Sequence, residues 1–160
     1  MIGKRNRLSS QRWNILVRAP TSKGTPGSSG GHFRTQLPRR QHFARAIEEA
    51  YFKDVLVFAA AHNDHPLTRS YPSLFAPPLL SVDKHLFADA LQFAYALHDQ
   101  VEFRAHGRGY LGPFAHEPAT SWAAPHVTGV AARLLSLRPH LKPFEIKALL
   151  YWLFSAHRDR

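Results

Sequence analysis

The chain has 160 residues with 44% hydrophobic content, enough for one domain with a real core. It contains no cysteine, which excludes disulfides and thiolate metal sites, and no run of eighteen apolar residues, so no transmembrane helix is expected. The formal net charge is +10, and it is unevenly placed: residues 1–40 hold nine Lys/Arg and no Asp or Glu, and the remainder is close to neutral.

That first quarter reads as a basic tail. "TSKGTPGSSGG" (21–31) is a Gly/Ser/Pro segment, and the only apolar cluster is Trp13, Ile15, Leu16 and Val17. Residues 1–40 are therefore expected to be disordered, with no apolar h-region of a secretory leader. An acid-free, Arg/Ser-rich leader also suits an organellar transit peptide. A basic tail can hold phosphates by releasing their counterions, but composition alone does not make nucleic acid the expected partner.

Order is expected from about Gln41, giving one domain over 41–156. "QHFARAIEEAYFKD" places Phe43, Ile47 and Ala50/Tyr51 at helical spacing. "VLVFAAA" (55–61) is continuously apolar, the pattern of a strand buried on both faces. A helix leading into such a strand implies an α/β architecture with a parallel sheet. "LLSVD" (79–83) and "VEFRA" (101–105) are further strand candidates. The stretch between them, "DKHLFADALQFAYALHD", fits neither the helical nor the strand period. Two helices follow, one from about Ser121 to Leu137 and one starting at Pro143, a favourable first helical residue.

The junction "EPATSWAAPHVTGVAARLLSL" (117–137) carries the chemistry. A serine at a helix start lies beside the positive end of the macrodipole, where free N–H groups can hold an oxyanion. Small neighbours at Ala119, Ala123 and Ala124 leave room for a substrate. Pro125 is expected to cost little if it falls in the first turn. The same pattern also describes an ordinary serine cap on a core helix.

"ATSWAAPHVTGVAARLL" resembles the active-site serine segment of subtilisin-like serine proteases, G-T-S-x-A-x-P-H-V-x-G followed by a long helix. Upstream, "ARAIEEAYFKDVLVFAAAHND" resembles that family's helix, buried strand and A-A-G-N segment. "YPSLFAPPLLSVD" and "VEFRAHG" resemble two later stretches. The four matches run in family order over residues 42 to 155. The resemblance implies the carboxy-terminal half of a subtilisin-like domain: a parallel sheet with flanking helices. It implies peptide-bond hydrolysis through a seryl acyl-enzyme, with Ser121 as nucleophile and Asn63 in the oxyanion hole. One such donor is typically worth about 3–4 kcal/mol of barrier. No cofactor and no metal are implied. The expected partners are a peptide or protein substrate and a complementing chain.

The departures are specific. Nothing acidic precedes Glu48 and Glu49 in the chain, and the first aspartate is Asp54, so the family's D-[ST]-G segment has no counterpart. His32 and His42 precede Asn63 without an H-G-T-H context, and "SSGG" (28–31) is only an echo of the family's substrate-lining glycines. His126 is five helical residues from Ser121, about 140° round the axis, and should face away. His62, His65, His106 and His116 lack a visible orienting carboxylate. Ala119, His62 and His106 replace two family glycines and a proline, so Ala119 is expected to strain the turn. A metal reading of His62, Asp64 and His65, with His116 and Glu117, matches no strong motif. Three readings follow: a truncated serine peptidase inactive alone, a non-catalytic pseudoenzyme or peptide-binding remnant, and a scaffold for an anionic partner of the basic tail. The half-domain is also expected to expose a sheet edge and an apolar face.

Overall fold

The computed structural model describes residues 16–18, 33–68, 71–98, 101–109 and 117–158. In chain order the elements are β1 (Leu16–Arg18), α1 (Phe33–Phe52), β2 (Val57–Ala60), β3 (Leu80–His85), β4 (Phe93–His98), β5 (Val101–His106), α2 (Thr120–Leu137) and α3 (Pro143–Arg158). Five strands form one sheet in the order β1-β2-β3-β5-β4. The first four in that order pair in parallel, and β4 runs antiparallel to β5.

The continuous apolar run of β2 is explained by helices on both faces. Phe58 and Ala60 point into the main core with Val82, Phe103, Val127 and Ile146, while Val57 and Ala59 pack with Ile47 on α1. Successive side chains alternate faces, so a strand covered twice must be apolar at every position. By contrast β5 alternates: Val101, Phe103 and Ala105 are buried, and Glu102 and Arg104 are half-buried.

Helix α1 ends in a Schellman motif. Asp54 adopts φ 60°, its N–H donates to the Tyr51 carbonyl, and the Val55 N–H donates to the Ala50 carbonyl at 2.8 Å. The chain can then turn directly into β2. Helix α2 buries Ala123, Ala124, Val127, Ala131 and Leu135, the three-and-four spacing of one helical face. Helix α3 opens at Pro143, with the Lys142 N–H donating to Glu145 Oε2 at 2.7 Å.

Three features differ from the sequence reading. The expected tail contains β1, and α1 begins at Phe33, ahead of Gln41; the other residues of 1–32 lie outside the described residues. The stretch without a period contains β4, which makes the sheet mixed. Pro125 is the sixth residue of α2, not in its first turn. Its missing N–H leaves the Ser121 carbonyl without the usual bond from four residues on.

Candidate active site

Three segments meet at the carboxy-terminal ends of the parallel strands. After β2 the Ala61 N–H still donates to Val82 on β3, and the chain then leaves the sheet at His62 and Asn63. After β5, the Gly107 N–H donates to the His85 carbonyl, and the Ala119 N–H donates to the Gly107 carbonyl, both at 2.8 Å. This stitches the approach to α2 onto the end of the sheet. A side chain at Gly107 would have its Cβ 2.7 Å from Lys84 Cβ and 3.2 Å from the Ala119 carbonyl, so only glycine fits this close approach. Crevices at such strand ends are the usual ligand sites of open α/β sheets.

Thr120 joins the segments and is fully buried. Its N–H donates to Asn63 Oδ1 at 2.9 Å. Its hydroxyl is 2.7 Å from the Ala61 carbonyl and 3.1 Å from Asn63 Oδ1. With one proton to give, the hydroxyl donates to the nearer carbonyl. Asn63 thus satisfies a free N–H of the first helical turn from 57 residues away. Lys84 Nζ holds the Asn63 carbonyl at 2.6 Å. The Asn63 backbone and side-chain oxygens are both engaged, and Asn63 and Ser121, the residue after Thr120, are both exposed.

Ala119 precedes this turn with φ −133° and ψ 147°, an extended conformation open to any residue. The expected strain from its Cβ is therefore absent. His126 turns toward β5, where its Nδ1 meets the His106 carbonyl and its ring stands edge-on to that of His106. Among the described residues, the Ser121 hydroxyl has no histidine as hydrogen-bond partner.

The sequence reading missed one oriented histidine. His65 Nδ1 is 3.3 Å from Asp83 Oδ2, with both side chains largely buried, and Asp83 Oδ1 accepts the Lys84 N–H at 2.8 Å. The two lie 18 residues apart, so no local spacing signals the pair. It ties the loop that carries Asn63 onto β3. His62 instead faces Asp64, at 3.4 Å. Among the described residues no three His, Asp or Glu groups are placed to hold a metal ion, and His116 lies outside the described residues.

Residues 99–154 match the model of the subtilase family. Among solved structures, the chain is similar to one described as Sphericase, with TM-score 0.57 and 21% identity over 87% of this chain. It is also similar to one described as S41 Psychrophilic Protease, with TM-score 0.55 and 21% identity over 86% of this chain. In each case the match covers 48% of the solved chain, so this sequence spans about half their length. Sequence comparison with curated proteins gives no match.

Proposed function

Starting from a chain with the fold of subtilisin-like proteases and a subtilase segment over residues 99–154, we propose that it carries the serine half of a peptidase site. In this reading Ser121 is the nucleophile, attacking the carbonyl of a scissile peptide to give a seryl acyl-enzyme that water then hydrolyses. The oxyanion is held by Asn63 Nδ2 and the Ser121 N–H. The observation that carries the reading is the lock between Asn63 Oδ1 and the Thr120 N–H, which fixes the side-chain amide one residue from the serine. A donor fixed before reaction costs no reorganisation as charge develops.

The base and its orienting carboxylate come, in this reading, from a complementing chain segment bearing D-[ST]-G and H-G-T-H. The 160 residues alone are inert toward peptides. That no described histidine is a hydrogen-bond partner of the Ser121 hydroxyl supports this division of labour. The same observation favours the second reading, a non-catalytic remnant that binds peptides at this mouth. A fluorophosphonate probe separates them. The expected result is no labelling of the folded chain alone, and labelling once the amino-terminal half of a subtilisin-like domain is supplied. That labelling disappears in Ser121→Ala. A complex that forms without labelling leaves only the peptide-binding reading.

A further inference from the structure

A second concavity lies away from the serine, between the segment around β4 and the outer faces of α2 and α3. Its volume is about 720 Å³, within the usual range for small-molecule sites of about 300–1,000 Å³. Phe87 and Phe93 wall one side, and Leu134 and Leu153 wall the other. Gly129 opens into it eight residues past Ser121, about 12 Å along the helix axis. A Cβ built there meets no atom within 4 Å. Nothing in the fold requires glycine at this mid-helix position, where it costs helix stability, but its absence of a side chain lets a ligand approach the backbone.

Two charges line the cavity, Arg133 and Asp89. Asp89 Oδ1 already accepts the Leu91 N–H at 2.8 Å. Among the described residues no carboxylate lies within ion-pair reach of Arg133. The polar complement this cavity lacks is therefore an anion that the guanidinium fork can grip, attached to an apolar body. We propose that the cavity is a binding site for an aliphatic monocarboxylate, with the chain against Phe87, Phe93 and Leu153 and the carboxylate on Arg133. The site is independent of whatever Ser121 does.

The test is calorimetric titration of the full-length chain with decanoate, with decylamine and decanol as cationic and neutral controls. Decanoate is expected to bind one to one and more tightly than either control. Arg133→Gln should weaken decanoate about fivefold, the modest factor an exposed charge carries, and leave decanol unchanged. Gly129→Leu, a substitution that favours the helix, should fill the cavity and abolish binding while the circular dichroism stays native. The proposal is overturned if the folded chain does not bind decanoate or if decylamine binds equally well. It is also overturned if either variant binds decanoate like the parent chain.

Discussion

At the scale of single residues, the candidate site depends on Thr120 more than on the serine beside it. Thr120 is the residue through which the end of β2 recognises the start of α2. Its hydroxyl satisfies the Ala61 carbonyl and its N–H is satisfied by Asn63. Thr120→Val keeps the shape but leaves that buried carbonyl without its donor. The expected cost is about 1–3 kcal/mol, the desolvation penalty of an orphaned polar group, read as a lower midpoint in thermal or urea unfolding. Thr120→Ser should recover most of it, because the hydroxyl is retained. If Thr120→Val melts like the parent chain, the hydroxyl bond does not hold the two segments together. The sequence pointed to Asn63 and Ser121 only through their resemblance to a family motif. That Thr120 bridges them was not legible, because its partners Ala61 and Asn63 are 59 and 57 residues away. The His65–Asp83 pair was hidden for the same reason.

At the scale of elements, what could be read was whatever repeats locally. Helices α2 and α3 and strands β2, β3 and β5 show their periods in the residues themselves. Strand β4 does not. It is an edge strand whose inward residues, Phe93 and Tyr95, pack on Phe103, and its pairing with β5 shifts register between Tyr95 and His98. A shifted register breaks the alternation that would have announced it. How α3 is held to the sheet is likewise a tertiary fact. Lys147 Nζ reaches Glu102 Oε1 on β5 at 2.6 Å and the Pro77 carbonyl ahead of β3. Glu102 Oε2 is buried without a hydrogen-bond donor, and burial raises the Glu102 pKa above its ordinary 4.5 despite Lys147. A carboxyl whose folded pKa is raised favours the fold most when protonated. That contribution is complete below the unfolded value and is lost as pH rises through the folded value. Glu102→Gln imitates the protonated form. The variant's melting temperature should therefore gain on the parent's as pH rises from about 4 to 7. A difference that is flat with pH, or that moves the other way, would show that Lys147 compensates the buried charge fully.

At the scale of the whole molecule, β1 and β4 are the two end strands of the sheet among the described strands, and the two ends are built differently. The β4 end is antiparallel and carries aromatic residues against Tyr151 of α3. The other end is β1, three residues long, lying in parallel register on Val57, Phe58 and Ala59. A strand that short presents little backbone for another chain to pair with, which is a usual way of blunting an edge. Beneath it, β2 is apolar at every position and buried on both faces. It is the worst strand in the sheet to leave at an edge, because its backbone groups would then be open beside the apolar run Val57 to Ala60. The basic segment thus has a folding role separable from its charge: through Leu16–Arg18 it caps β2. A chain begun at Phe33 loses that cap while keeping every described residue of the main core. It should self-associate with rising concentration in light scattering, and 1 M salt should not reverse the association, because it arises from strand pairing rather than charge. A chain in which residues 1–14 alone are removed keeps β1 and should remain as dispersed as the parent. If both truncations behave alike, the charge of the leading segment, and not its strand, is what keeps the molecule apart.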